Sequence, residues 1–248
     1  MRELFQSLLD WVYPPRCMSC RNLLPLQGKD LRELWLCNYC KKLFIPLSSP
    51  GCKICSTPVK KGVETCSSCN GKNFLFLRNY STFAYEGLVR DLIHEIKFRR
   101  RKYVAQGLGR LWGELLSNDT PKGNLVPLPM HPKKRRERGF DQAMIMAQAL
   151  SISTKMPLTN ILERTHDTPP QSGLHPQQRI DNVKGAFKIK STNTCVIPGN
   201  TFILIDDIYT TGASLNECSR VLKTAGASKV YSMTLAIAVK NTDVTNSP

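Results

Sequence analysis

The chain has 248 residues, 41% of them hydrophobic, with 35 Lys and Arg against 19 Asp and Glu, 10 Cys and a formal net charge of +16. That apolar fraction excludes a disordered polyelectrolyte, and 15 Gly and 16 Pro are too few for collagen-like or low-complexity chains. No apolar run reaches the roughly 18 residues of a membrane-spanning helix, and the opening MRELFQSLLDWVYPPRC is broken by Glu3, Gln6 and Asp10, so no secretory leader is expected.

In chain order, the first feature is cysteine. Eight of the ten fall between residues 17 and 69 as Cys-x-x-Cys pairs: Cys17/Cys20, Cys37/Cys40, Cys52/Cys55 and Cys66/Cys69. Gaps of 16 and 10 residues separate the first two and the last two pairs, and such knuckles aim both thiolates at one tetrahedral centre about 2.3 Å away. Two structural Zn²⁺ ions are therefore expected, paired sequentially or interleaved. A disulfide module lacks the leader it would need, and four copies argue against a redox pair. Cys195 and Cys218 stand alone and read as inert thiols.

After Cys69 the pattern becomes α/β. A short aromatic strand is predicted over 80–85, a helix from Gly87 with Leu88, Leu92, Ile93 and Ile96 on one face, and a second helical segment from Val104 to Leu115 in which Trp112 reads as core. Between and beyond them lie two basic runs, Lys97, Arg99, Arg100, Arg101, Lys102 and then Lys133, Lys134, Arg135, Arg136, Arg138. One run alone is commonly a solvated face; two in a chain of pI about 9.6 point to a polyanion, with nucleic acid as the expected partner. Trp11, Trp35 and Phe44 are possible stacking platforms, although core is the more ordinary place for each.

A strand over 125–128 leads through Pro129 into a basic loop, and a helix follows over 141–151. The remainder alternates strand (186–189), turn, strand (202–205), helix (213–225) and strand (230–239), the order of a parallel α/β sheet. Its most informative segment is FILIDDIYTTGAS, residues 202–214: a buried strand, two carboxylates at its end, and a Gly-containing turn into a helix. Thr210, Thr211, Gly212, Ala213 and Ser214 would form an anion nest at a helix N-terminus, with Asp206 and Asp207 beside it for a sugar diol. The alternative is a capped helix with two surface acids.

Residues 203–214 look like the phosphoribosyl pyrophosphate (PRPP) signature of type I phosphoribosyltransferases. With the cysteine pairs, YEGLVRDLIHEIKF (85–98), RERGFDQA (136–143) and PPQSGLHPQQRIDNVKGAF (169–187), the chain resembles the ComF family, including its ComFC-like competence members. The resemblance implies a type I phosphoribosyltransferase-like parallel sheet with helices on both faces (76–248), preceded by an N-terminal helix and small double zinc-ribbon domain (1–75). It implies Asp206 and Asp207 on the ribose hydroxyls, directly or through Mg²⁺, and residues 210–214 on the 5′-phosphate. Pro129, Met130, His131 and Arg138 would belong to the pyrophosphate loop, and Arg179 and Asn182 match an Arg-x-x-Asn element. Asp141 departs from the family's usual Asn.

The implied function is a cytoplasmic DNA-handling factor of natural transformation, with the inner membrane face as an alternative location and other DNA-uptake proteins as partners. The competing readings are a phosphoribosyltransferase of nucleotide or amine metabolism without a DNA role, and a zinc-ribbon scaffold with a vestigial nucleotide site. An enzyme would be a PRPP-dependent transferase of the glycosyltransferase class, but no residue pattern supplies the acceptor or a base. His94, His131, His166 and His175 receive no role from sequence.

Overall fold

A computed structural model of the chain describes residues 14–25, 35–117, 119–166, 182–191 and 197–239. Trp11, His175, Arg179 and Cys195, and most of the 169–187 segment, lie outside the described residues.

Four strands, β1 (Asn79–Ala84), β2 (Asn124–Pro127), β5 (Thr201–Tyr209) and β6 (Lys229–Ile237), form a parallel sheet in the order β1-β6-β5-β2. A parallel sheet must bury both faces, and the near-continuous apolar runs of β5 and β6 meet that requirement. On one face lie α2 (Gly87–Arg99), α3 (Lys102–Glu114) and α5 (Gln142–Thr154), packed on Phe83, Ile203, Ile205 and Met233. On the other, α6 (Ala213–Thr224) and a small antiparallel pair, β3 (Leu162–Arg164) with β4 (Phe187–Ile189), cover Phe202, Leu204 and Val230. The expected fold class is thus observed. The three-residue β3 was not foreseen, being too short to carry a period.

Gly109 lets α3 approach α5: a Cβ there would lie 2.8 Å from Ala149 Cβ and 2.9 Å from the Met146 carbonyl. Trp112 and Cys218 are buried, as the sequence led one to expect, and Phe44 is core, edge-on to Phe83 at 5.5 Å. Trp35 rests partly buried against Tyr103, 5.8 Å between rings.

Among the described residues the cysteine knuckles share the two cores on either face of the sheet. Cys17, Met18 and Cys40, the last on the single-turn helix α1 (Asn38–Lys41), pack into the cluster under α2 and α3, and Arg21 reaches Glu95 at 3.2 Å. Cys52, Cys55, Cys66 and Cys69 pack on the opposite sheet face with Phe76 and Tyr209. This second knuckle is fastened to the start of β1: the Asn79 N–H donates to the Ile54 carbonyl at 2.7 Å, and Ser56 Oγ donates to the Asn79 carbonyl at 2.6 Å.

Residues 132–138, expected as a loop, form helix α4 (Pro132–Arg138). Local signals at both ends explain it. His131 accepts the Lys133 N–H as N-cap, Pro132 sits in the first turn, and Gly139 at φ 86° closes the helix.

Candidate functional site

Strand β5 does not stop before the acids. It stays paired with β6 through Asp206↔Thr234, Ile208↔Ala236 and Tyr209↔Ile237, so the two carboxylates fall on alternate sides of the strand. The expectation of two acids side by side, facing one diol, is corrected accordingly. Asp207 is buried on the α5 side, where Gln142 Nε2 donates to its Oδ2 at 2.5 Å and Lys97 Nζ stands at 2.7 Å. Asp206 lies on the α6 side, its Oδ1 accepting the Asp207 N–H at 2.9 Å. Desolvation, reinforced by the neighbouring Asp207 charge, pushes the Asp206 carboxyl up to about 8. Without a partner the carboxyl is held neutral, and a cation or hydroxyl donors placed beside it would favour its ionised form, so the position can accommodate either.

Directly after the strand, Thr210, Gly212, Ala213 and Ser214 line a small recess that reaches Asp206. Gly212 adopts φ 74° as the residue preceding α6, and no side chain caps the helix. The first turn of α6 therefore borders the recess, and Thr211 Oγ1 accepts one of its N–H groups, that of Ala213, at 3.4 Å. A side chain at 212 would meet Tyr209 beneath the turn: its Cβ would lie 2.6 Å from the phenol oxygen.

The recess opens into a crevice of about 970 Å³ across the carboxyl ends of the strands. Pro129, Met130 and Arg138 form the wall beyond β2. Burial lowers the Arg138 pKa while Asp207 and Asp141 oppose that shift, and among the described residues its buried Nη1 has no hydrogen-bond partner. His131 is the α4 cap rather than a wall residue. Asp141 caps α5, accepting the Met144 N–H at 3.2 Å and the Met130 N–H at 3.4 Å. Asn would cap α5 equally well, but only a carboxylate offers the second acceptor oxygen that takes the Met130 N–H and ties the loop to the helix.

The first basic run is divided. Lys97 enters the crevice, and Arg99 and Arg101 pair with Glu95 at 2.9 and 2.5 Å. Arg100 and Lys134 line the crevice, while Lys102, Lys133, Arg135 and Arg136 are exposed. Gln142, Tyr85 and His94 received no site role from sequence, and Lys97, expected on DNA with the rest of its run, stands instead at Asp207. Gln142 and Lys97 lie inside the quoted 136–143 and 85–98 segments, but only the tertiary structure brings them to Asp207.

In each cysteine cluster the four sulfurs lie within 4.8 Å of one another. Tetrahedral zinc at about 2.3 Å requires sulfurs about 3.8 Å apart, and Cys20–Cys37 and Cys55–Cys66 are separated by 3.8 and 3.6 Å. The pairing is sequential: Cys17, Cys20, Cys37, Cys40, then Cys52, Cys55, Cys66, Cys69. Burial pushes the Cys40 thiol up to about 12; against burial, backbone N–H groups of Cys37, Cys20 and Ser19 bring Cys17 down to about 7. A divalent cation would resolve that conflict by holding all four as thiolates.

Comparison with known proteins agrees with this layout. Residues 8–70 match a double zinc ribbon domain and residues 136–245 a phosphoribosyl transferase domain. Competence protein F of Haemophilus influenzae is 28% identical over 231 residues, covering 90% of this chain and 97% of that one. DNA utilization protein YhgH of Escherichia coli is 27% identical over 224 residues (88% and 94%), and competence protein ComFC of Bacillus subtilis 26% over 219 residues (81% and 83%). The ComF resemblance seen in the motifs thus holds over most of the chain, which carries a double zinc ribbon and a phosphoribosyltransferase domain.

Proposed function

We propose that the crevice binds PRPP with Mg²⁺ and that the chain serves DNA uptake in natural transformation by handling single-stranded DNA. One observation carries the first half: two anion-seeking ends, the N-terminus of α6, whose cap position is the side-chain-less Gly212, and Arg138 Nη1, unpartnered among the described residues, stand on either side of the acids of β5. That spacing of charge suits a sugar with a phosphate at one end and a pyrophosphate at the other.

In this reading residues 210–214 hold the 5′-phosphate and Asp206 takes the ribose hydroxyls. Asp207, bonded to Gln142 and Lys97, fixes those two side chains beside the sugar. Arg138 takes the pyrophosphate, and the loop 129–131 is held near it by Asp141. Mg²⁺ would neutralise phosphate oxygens and favour departure of pyrophosphate from the anomeric carbon. For DNA, the exposed cations of α4 can release counterions from a phosphate backbone. The names of the relatives supply the competence and DNA-utilization context. Among the described residues no helix is long and apolar enough to cross a membrane, and Cys₄ groups arranged for zinc suit a reducing compartment.

Calorimetry with PRPP, with and without Mg²⁺, tests the site. Binding should require Mg²⁺, and Asp206→Asn should weaken it about 10-fold or more, the loss expected for a charge-assisted hydrogen bond. Unchanged affinity in that variant would overturn the ribose assignment. Pyrophosphate release with candidate amines separates turnover from binding alone.

A further inference from the structure

We infer that Cys20 is a peroxide-oxidation site: its sulfur takes the oxidant, closes a disulfide with Cys37 and releases the first zinc ion, while the second cluster stays intact. The inference depends on neither the PRPP nor the DNA reading.

The two clusters have the same ligand set and differ in cover. Cys52, Cys55, Cys66 and Cys69 are each at most 3% exposed and pack with Phe76 and Tyr209. In the first cluster Cys17 and Cys40 are equally buried, but Cys20 is exposed and Cys37 half-buried. A zinc-bound cysteine is held as thiolate, the form that attacks a peroxide, so between two sites of equal chemistry access decides which one reacts. Among the eight ligands that access belongs first to Cys20 and then to Cys37.

A reversible oxidation also needs a second sulfur within reach. Cys20 Sγ and Cys37 Sγ are 3.8 Å apart, against about 2.05 Å in a disulfide. Cys20 lies on a turn and Cys37 is the N-cap of the four-residue helix α1, so neither sits in a strand or long helix that would resist the closure. In the first step the Cys20 thiolate attacks one peroxide oxygen; the O–O bond breaks, hydroxide leaves, and Cys20 becomes a sulfenic acid. In the second the Cys37 thiolate attacks the Cys20 sulfur and displaces a second hydroxide as the S–S bond forms. Two solvent protons convert both hydroxides to water, and the two electrons lost by the sulfurs are those gained by the peroxide. Zinc keeps two of its four thiolates and dissociates.

The consequence reaches α2. Arg21, adjacent to Cys20, holds Glu95 at 3.2 Å, and Met18 packs in the core beneath α2 and α3. Lys97, two residues beyond Glu95, is the side chain that reaches Asp207. Opening the first knuckle therefore removes a brace from the helix that carries a cation into the crevice.

The test uses the zinc-loaded full chain with Cys195→Ser, which leaves the eight cluster cysteines and the buried Cys218 as its thiols. Under limiting hydrogen peroxide, a metallochromic indicator should record one zinc ion leaving at least about 10-fold faster than the other, since oxidation follows exposure. Peptide mapping after alkylation should find a Cys20–Cys37 disulfide with Cys52, Cys55, Cys66 and Cys69 unoxidised. Hydrogen exchange should rise over residues 17–24 and 87–99 and stay unchanged over 52–69. Cys20→His, which can still ligate zinc but cannot form a disulfide, should slow release of the first ion to the rate of the second. Release of both ions at one rate, earlier oxidation in the second cluster, a disulfide that excludes Cys20, or unslowed release from Cys20→His would overturn the site. Unchanged exchange over 87–99 after loss of the first ion would overturn its coupling to α2.

Discussion

Gly212→Ala should both destabilise the protein and weaken ribose 5-phosphate binding in the proposed phosphate recess, and Tyr209 is the reason. The new Cβ would lie 2.6 Å from Tyr209 Oη, 3.0 Å from Cζ and 3.1 Å from Cε2, in a residue at φ 74°. The left-handed backbone costs a side chain about 1 kcal/mol, and forcing apart a packed contact costs about 1–3 kcal/mol more, giving roughly 2–4 kcal/mol. Tyr209 cannot yield cheaply: its ring is buried edge-on to Phe76 at 6.4 Å, in the same cluster as Cys52 and Cys69. Its hydroxyl, however, has no hydrogen-bond partner, so Tyr209→Phe should be neutral or stabilising. Removing that oxygen from the Gly212→Ala background should recover at least about 1 kcal/mol, because the closest contact disappears. Urea unfolding of the two single variants and the double, each at full zinc occupancy, completes the cycle, and ribose 5-phosphate calorimetry runs alongside. Strict additivity, or a Tyr209→Phe variant weakened by more than about 1 kcal/mol, would refute this account of the glycine.

Metal analysis should find close to two zinc ions per chain, and replacing Cys17 and Cys20 by Ser should remove one; intact disulfides or no metal would overturn the assignment. Because the second cluster shares its core with β5, Cys52→Ser with Cys55→Ser should lower the melting temperature of the sheet as well as the zinc content. Neutralising Lys133, Lys134, Arg135 and Arg136 should flatten the salt dependence of single-stranded DNA binding by about the number of phosphates those side chains neutralise; salt-insensitive binding would return α4 to an ordinary solvated helix. Asp206 has a folded pKa raised from 3.8 to about 8, so the ligand-free fold holds a proton that the unfolded chain has released, and its stability should fall as pH rises through that window. Asp206→Asn should accordingly raise the urea midpoint at pH 8.5 and leave it little changed at pH 4; equal effects at both would show that the acid is not desolvated.

Short-range chemistry was readable in the sequence. The Cys-x-x-Cys spacing specifies thiolate geometry within a few residues, and the apolar run ending in Asp206 with Gly212 behind it specifies a strand, a left-handed turn and a helix start. What failed to register was either very short or governed by a cap: β3 has three residues, and α4 depends on His131, Pro132 and Gly139 rather than on periodicity. The charge of the basic runs could be counted, but its division could not. Lys97 and Arg100 differ only in which way a helix face and a left-handed cap turn them, and only packing of α2 against the sheet sends Lys97 to Asp207, 110 residues away in sequence. The alternation of the two acids was hidden because it depends on β5 remaining hydrogen-bonded to β6 through Tyr209. Likewise, eight cysteines spelled out two metal sites, yet nothing local said that one would pack under α2 and the other beneath the turn before α6. Burial against a distant strand is a sum of long-range contacts; ligand spacing and backbone conformation are settled within a handful of neighbouring residues.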